Sequence, residues 1–328
     1  MKEEQATGLV RTGPRIVEVG EDGAGQRVDN YLTRILKDIP KSRIYKMIRK
    51  GEVRVNGGRV KPTTRLKPGD SLRVPPVRTR PQAAQTFMGS RQLELLEAAI
   101  LHEDERLIVL NKPAGIAVHG GSGVSFGVIE GLRRLRPKCS LELVHRLDRE
   151  TSGCLLVSKR RSTLRALHEQ IRAGTMDKGY RLIARGIWPL SIERVDAPLH
   201  KYVTASGERR VKVSDEGKPS LTSFEVLAGA ATATLMAATL HTGRTHQLRV
   251  HCQHVGHGIL GDEKYASDAQ LADDRAAGVQ RLCLHAERIA LADDVVFEAP
   301  VPDDFSRIWA RLAGMAPDDS AGSAAEHR

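Results

Sequence analysis

Apolar residues at Val28, Tyr31, Leu32, Ile35 and Leu36 fall at i, i+3, i+4, i+7 and i+8, the spacing that puts one buried stripe on a helix. Pro40 ends that helix. Ile44, Met47 and Ile48 repeat the stripe on a second helix, predicted to be capped by Ser42 and closed by Gly51. Tyr31 belongs to the buried stripe, whereas Tyr45 is left open. Around these helices the period changes to two. Residues 15–19 predict a strand, 20–25 a turn, and 53–55 with 59–60 the arms of a hairpin about Asn56-Gly57. A turn at 66–70 precedes a closing strand at 71–74. Residues 1–14 are expected to be flexible. Periodicity is lost over 76–92, so 15–78 predicts one small α/β domain and 79–92 a linker.

From Leu93 to residue 315 the pattern predicts a larger domain. Residues 100–110 read as two strands about a charged turn, and 128–135 as a helix. Leu141, Leu143 and Val144 form one short apolar run and 154–157 a second. A helix is predicted from a Ser162 cap to Arg172, with Leu164, Leu167, His168 and Ile171 on one face. Strands follow at 178–185, 224–227 and 233–240. A helix after 242–249 ends at 256–262, then come a last strand at 287–291 and a helix at 304–313. The tail, 316–328, is expected to be disordered. Many strands with few crossover helices predict an α+β fold with a largely antiparallel sheet.

The length of 328 residues agrees with two domains. No run of about 20 apolar residues occurs, so no membrane span is expected. The first eight residues have no apolar core, which argues against a secretory signal. Cys139, Cys154, Cys252 and Cys283 are scattered without a Cys-x-x-Cys pair. Three of them sit in apolar runs or a predicted helix, as reduced thiols of a cytoplasmic protein would. The charge changes the picture most. The chain carries a net +11, and residues 26–78 hold 15 Lys/Arg against 4 Asp/Glu, so the whole surplus lies in the small domain. A cationic module on an electrically balanced body suits docking to a polyanion.

The candidate chemistry centres on residues 144–153, Val-His-Arg-Leu-Asp-Arg-Glu-Thr-Ser-Gly. One carboxylate, Asp148, lies between two apolar runs and is flanked by Arg146 and Arg149, cations suited to keeping it ionised. The plain structural alternative is a turn in which Asp148 caps and pairs with an arginine. His246, His251, His254 and His257 suggest a metal site, but their spacing of 5, 3 and 3 sets no three-ligand face, and no metal is expected. The Gly-rich stretch 120–127 lacks the Gly-Lys-Ser/Thr ending of a phosphate loop.

His-Arg-Leu-Asp-x-x-Thr-Ser-Gly resembles the catalytic motif of the RluA-type pseudouridine synthases, with all seven fixed positions matched. Asn111-Lys-Pro-Ala-Gly resembles their first motif, Lys178-Gly-Tyr180 their Lys-x-Tyr motif, and Gly243-Arg-Thr-His-Gln-Leu-Arg249 their arginine motif. Two short helices, then Gly-Glu-Val-Arg-Val-Asn-Gly and Lys-Pro-Gly-Asp-x-Leu-x-Val, are similar to the S4 RNA-binding domain over residues 26–75. The resemblance implies a pseudouridine synthase fold: a largely antiparallel mixed sheet with a central cleft, plus an N-terminal α/β S4 domain.

The same resemblance implies isomerisation of uridine in RNA. Asp148 becomes the nucleophile, at the sugar or at the uracil. Arg249 becomes its cationic partner, with Arg244 as the other candidate. Tyr180 would pack on the uracil, and its hydroxyl could act in the late deprotonation at C5. Arg146 would enter the RNA stack when the target base flips out. Leu284 would pack against Arg249 or Tyr180, or serve as plain core, and His246 is a further candidate for substrate binding. On the S4 module, Arg43, Lys46, Arg49, Lys50 and Arg54 would contact phosphates rather than read bases.

The S4 arrangement and the segment 118–132 point within this family to 23S rRNA, or a large-subunit assembly intermediate, as partner. A monomer is expected, without metal, nucleotide or organic cofactor. Three other readings stay open. One is a non-catalytic S4-type RNA-binding or ribosome-assembly factor, and a second is a synthase acting on other rRNA or tRNA uridines. The third, a glycosidase-like hydrolase, needs a second carboxylate; Glu150 is adjacent, although the family gives it no such role. Two positions depart from the family pattern: Gly258 stands where Pro is usual, and Gly179 stands where a bulkier residue is usual, which could loosen Tyr180.

Overall fold

Residues 10–36, 39–79, 89–120 and 126–315 are described in the computed structural model. They fall into two units that divide between Phe87 and Met88. The first unit contains β1 (Val10–Thr12), β2 (Arg15–Glu18), α1 (Val28–Ile35), α2 (Lys41–Arg49), β3 (Arg54–Val55), β4 (Gly58–Arg59), β5 (Ser71–Val74) and β6 (Val77–Thr79). Its main sheet runs β2-β5-β3-β4, and β1 pairs with β6. The helical stripes bury Val28, Tyr31, Leu32, Ile44, Met47 and Ile48 with Leu72 and Val74 of β5.

The Asn56-Gly57 turn takes φ of 50° and 79°, the left-handed pair that matches strand twist in a two-residue hairpin. Asn56 also accepts the Ser71 N–H through Oδ1 and donates through Nδ2 to Asp70, both at 2.8 Å, tying the hairpin to the next turn. Two expectations need correction here, and one question is answered. Val10–Thr12 is a strand, held by the 77–79 partner that lies nearly seventy residues away and is invisible to local pattern. Helix α2 begins at a Pro40 N-cap instead of Ser42, which sits inside the first turn. Tyr45, whose place the sequence leaves undecided, donates its hydroxyl to Asp29 at 2.7 Å, and Arg27 grips the same carboxylate.

The second unit contains α3 (Ser90–Ala98), β7 (Ile100–Glu103), β8 (Leu107–Lys112), α4 (Val128–Leu135), β9 (Glu142–Leu143), β10 (Ser152–Ser158), α5 (Arg161–Ala173) and β11 (Asp177–Arg185). It continues with β12 (Arg194–Asp196), β13 (Leu199–Val203), β14 (Arg209–Val213), β15 (Leu221–Gly229), β16 (Ala233–Leu240), α6 (Gln247–His254), α7 (Asp268–Ala276), β17 (Leu284–Ala290), β18 (Val296–Glu298) and α8 (Asp303–Leu312). Its sheet has the order β12-β15-β16-β11-β17-β10-β8-β7, with β18 on β17 and β9 on β10, while β13 and β14 pair separately. The structure is α+β with a mixed, largely antiparallel sheet, as the strand-rich pattern predicts.

Neighbouring residues of β8 and β10 serve opposite faces of this sheet. Ile108, Leu110, Leu155 and Val157 pack with Leu96 of α3, Leu132 of α4 and Phe305 of α8. Leu107, Val109, Cys154 and Leu156 pack instead with Leu164 and Leu167 of α5. Burial on both faces explains why these strands read as continuous apolar runs rather than alternating ones.

Several boundaries differ from the sequence reading. Helix α3 starts at Ser90, inside the predicted linker; Leu96 is its one buried residue, and Leu93 packs partly buried against the same core. Helix α5 is capped by Arg160, which bonds the Ser158 hydroxyl; Ser162 is not the cap. The strand expected at 287–291 starts at Leu284. The short strands β12, β13, β14 and β18 and helix α7 carry no strong period and escaped sequence reasoning. The tail 316–328 and residues 121–125 of the Gly-rich stretch lie outside the described residues.

One parallel contact locks the Asp148 motif. Among the described residues β10 and β17 form the sheet's parallel pair, with Ser152 opposite His285 and Gly153 opposite Ala286. Gly153 has φ of 111°, and a Cβ there would lie 2.2 Å from the Ala286 carbonyl oxygen, so no other residue fits. Arg281 donates to the Ser152 hydroxyl at 2.6 Å, Ser152 donates to Nδ1 of His285 at 2.9 Å, and Nε2 of His285 donates to the Ala299 carbonyl at 3.1 Å. This buried chain makes the Ser and His of the two segments structural.

On the other side of the motif, Lys112 is fully buried. Its ammonium donates to the carbonyls of Pro113 (2.8 Å), Ile116 (2.8 Å) and Arg149 (3.0 Å). Burial pushes its pKa down to about 7, against three acceptors that match the three protons of the charged form. Lys112→Met is expected to strand these carbonyls and cost about 3 kcal/mol or more of stability, read by denaturant unfolding.

Candidate active site

A cleft of about 390 Å3 opens in the second unit, lined by Arg146, Asp148, Lys178, Tyr180, Arg244, His246, Arg249 and Leu284 among others. The candidates of the larger domain thus converge from four elements. Asp148 comes from the β9–β10 connection, Tyr180 from β11, His246 and Arg249 from the start of α6, and Leu284 from β17. Pinning of β10 to β17 and the Lys112 clamp on the Arg149 carbonyl fix the backbone that follows Asp148.

The Asp148 side chain is 19% exposed, and its Oδ2 lies 3.3 Å from Nη1 of Arg249. The flanking arginines do not pair with it. Arg149 donates to the Gly115 carbonyl at 3.0 Å and sits 3.2 Å from Glu150. Arg146 is exposed at the cleft and has no side-chain partner among the described residues. Arg244 is excluded as the Asp148 partner, since it is exposed and donates to the Pro219 carbonyl at 3.1 Å. It remains a lining residue of the cleft.

Arg249 is itself held by a residue that sequence reasoning missed. Its Nε and Nη2 donate to Asp262 at 2.8 and 2.5 Å, a two-pronged bond that leaves Nη1 for Asp148. Burial works against the charge on Arg249, but Asp262 and then Asp148 more than restore it, so its pKa is raised and the guanidinium stays charged. Asp262 also accepts the backbone N–H groups of Lys264 (3.0 Å) and Tyr265 (3.2 Å). The signal for it was an acid closing the run 256–262, read only as a helix end.

Tyr180 is 8% exposed and pairs with Ala238 of β16. Burial, and then the charge of Asp148, push its phenol up, so the hydroxyl stays protonated at neutral pH. The hydroxyl has no partner among the described residues. Gly179 sits at a register shift between β11 and β17, where a Cβ would meet Arg288 at 3.4 Å. At Gly258 a Cβ would meet the far end of the exposed Gln253 side chain, away from the cleft residues. Lys178, partly buried beside Tyr180, has its pKa lowered by burial.

The histidines considered for metal do not share one environment. His251 contacts Thr222 (2.9 Å) and the Ala197 carbonyl (3.0 Å), and His257 contacts the Arg185 carbonyl (2.9 Å). His246 alone of these lines the cleft, with Nε2 at 3.8 Å from Asp148. Cys154, Cys252 and Cys283 are buried and free, and burial pushes their thiols up.

In the first unit, Arg43, Lys46, Arg49 and Lys50 are exposed on or just after α2. Arg54 differs from them. It is half-buried and donates to the Gly57 carbonyl at 3.1 Å, so part of its guanidinium is spent on its own hairpin. Among the described residues no helix is long and apolar enough to cross a membrane.

Comparison with known proteins agrees with this geometry. Residues 106–254 match the family model described as RNA pseudouridylate synthase, and residues 26–72 match the S4 domain. The chain is 49% identical over 308 residues to ribosomal large subunit pseudouridine synthase C of Escherichia coli O157:H7, covering 91% of this chain and 96% of that protein. The Haemophilus ducreyi protein of the same name is 50% identical over 301 residues, covering 90% and 94%. A solved structure, human RNA pseudouridylate synthase domain containing 4, is similar with a TM-score of 0.57 at 26% identity, covering 67% of this chain and 95% of that one. With relatives of this similarity along nearly its whole length, the chain belongs to the RNA pseudouridine synthase family and carries an S4 domain.

Proposed function

We propose that this protein isomerises specific uridines of 23S rRNA to pseudouridine, with Asp148 as the nucleophile. The observation that carries the proposal is the Asp148 carboxylate, held at 3.3 Å by a charged and buried Arg249 inside a cleft that Tyr180 also lines. The reaction breaks the N-glycosidic bond and joins C5 of the same base to the sugar. An aspartate suits it because it attacks as an anion and departs as one. Arg249, fixed by Asp262, keeps that anion stable in a site from which a flipped base excludes water.

Each remaining residue takes a role set by its place. Tyr180 packs its ring on the uracil. Its raised pKa favours that role over the base role at C5. Leu284, 3% exposed, forms an apolar wall. Arg146, exposed and without a side-chain partner among the described residues, fills the gap left in the RNA stack when the uridine flips out. Arg244, Lys178 and His246 offer further contacts to the incoming nucleotide. The isomerisation conserves every atom of the substrate, and this scheme uses no cofactor or metal. Residues 15–78, as the S4 domain, dock the RNA through Arg43, Lys46, Arg49 and Lys50, with a smaller part for Arg54. A cytoplasmic monomer acting on the rRNA or on a large-subunit assembly intermediate completes the proposal.

The test is expression in cells lacking their own large-subunit pseudouridine synthase of this type, followed by mapping of pseudouridine across 23S rRNA. Restored sites with the wild type support the proposal. An unchanged map would favour an RNA-binding assembly factor, and new pseudouridine only in tRNA or 16S rRNA would reassign the substrate. For docking, Arg43→Glu, Lys46→Glu and Arg49→Glu together are expected to lower the slope of log K against log[salt] by about 2 to 3. Filter binding over a salt series reads this, and an unchanged slope would remove α2 from the interface.

A further inference from the structure

Tyr265 lies just outside the motifs that define the cleft, yet its hydroxyl makes the shortest contact to His246, at 2.6 Å from Nδ1. The backbone N–H of Val211 donates to the same hydroxyl oxygen at 3.1 Å. The rings meet edge-on with centroids 5.6 Å apart, and the Arg249 guanidinium carbon sits 5.2 Å from the centre of the Tyr265 ring. His246 holds φ of 54°, a left-handed backbone at the N-cap of α6. Its other nitrogen, Nε2, lies 3.8 Å from Asp148.

We propose that Tyr265 is a positioning residue that holds His246 in its Nε2–H tautomer, so that His246 gives Asp148 a second hydrogen-bond donor beside Arg249. The proton count leads to this. Val211 occupies one lone pair of the phenol oxygen as donor, and among the described residues the hydroxyl proton then has one acceptor in reach, Nδ1 of His246. A neutral imidazole that accepts at Nδ1 must carry its hydrogen on Nε2, the atom facing Asp148. Both groups stay in the required form at neutral pH. Burial first, with Asp262 and Asp148, keeps the Tyr265 phenol up at about 12. Burial first, then Arg249 and Lys264, lowers the pKa of His246 against the opposing pull of Asp148 and Asp262. Lys264 is itself occupied by Glu208 at 2.5 Å and the Arg209 carbonyl at 3.2 Å.

The 3.8 Å separation is longer than a hydrogen bond, and catalytic contacts of this kind commonly tighten when substrate fills the site. The opposite tautomer would aim a lone pair at the carboxylate and repel it. In this role no proton passes to or from substrate. The donor favours the anion before attack and again as Asp148 departs. The inference rests on Asp148 as nucleophile, and its first test does not depend on activity.

Protein labelled with 15N-histidine, compared with a His246→Gln sample to assign the signal, should show His246 protonated at Nε2 and bare at Nδ1 at pH 8. In Tyr265→Phe that signal should move toward the Nδ1–H form. Turnover of an unmodified 23S rRNA transcript gives the second readout. Tyr265→Phe is expected to lower kcat about tenfold with little change in KM. His246→Gln, whose amide N–H replaces the Nε2 donor, should keep more activity than His246→Ala. In the His246→Gln background Tyr265→Phe should cost almost nothing, because glutamine has no tautomer to set. A wild-type His246 protonated at Nδ1, or an equal loss from Tyr265→Phe in both backgrounds, would overturn the proposal. Full activity of Asp148→Asn would instead strike at the nucleophile assignment and leave the tautomer result standing.

Discussion

Asp148→Asn is expected to lower kcat on 23S rRNA by at least about 10^4-fold while leaving RNA affinity within about threefold. Asparagine has the shape of aspartate and can still accept a hydrogen bond from Nη1 of Arg249, so the cleft keeps its form. What it loses is the negative charge and the oxygen nucleophile. Stability should barely move, because Arg249 retains its two bonds to Asp262. Single-turnover assays on a transcript, with thermal unfolding alongside, separate the outcomes. An Asn variant that still forms pseudouridine would remove Asp148 from the chemistry. An inactive variant that also unfolds early would say nothing specific about the nucleophile, which is why the two measurements belong together.

Arg249→Met is expected to damage fold and activity at once. The arginine serves two carboxylates, and Asp262 is only 2% exposed. Removing the cation leaves that acid buried with two backbone N–H donors and no compensating charge, a loss of about 3–5 kcal/mol. For a domain of this size the melting temperature falls by roughly 10 °C. Denaturant unfolding reads this loss. An unchanged stability would mean that Asp262 finds another cation, such as Lys264, whose backbone N–H it already accepts. Activity should be lost at all pH values, because Asp148 loses its hydrogen bond to Nη1.

The sequence made the site legible where chemistry and short motifs coincide. Asp148, Tyr180, Arg249, Leu284 and Arg146 all line one cleft, although 136 residues separate Asp148 from Leu284. Residues that act through others were harder to see. Asp262 looked like the end of a helix, Tyr265 like nothing in particular, and Lys112 was a motif position with no role assigned. Their importance comes from what they touch, and contacts over such separations leave no local pattern. Adjacency alone suggests Arg146 and Arg149 as cations for Asp148, and only the family motif moves the pairing to Arg249. Adjacent residues in an extended loop point different ways, and Arg149 turns to Gly115.

The fold shows a parallel division. Strongly periodic elements such as α1, α2 and β16 were readable from their stripes, as was the Asn56-Gly57 hairpin from its turn chemistry. The 194–213 region was not. Its strands are short and partly exposed, and β13 and β14 fold onto α6 through Leu199, Val211 and Val250 rather than into the main sheet. Cap positions were misplaced at Ser42 and Ser162 because a serine near a helix start is a weak guide when Pro40 or Arg160 already supplies the turn.

The most direct measurement uses purified full-length protein and an unmodified 23S rRNA transcript, with both pseudouridine and free uracil quantified over time. Stoichiometric conversion of a small set of uridines to pseudouridine, with no uracil released and none formed by Asp148→Asn, is the predicted result. Release of uracil would point to a hydrolase, and the absence of pseudouridine above a no-enzyme control would contradict the account.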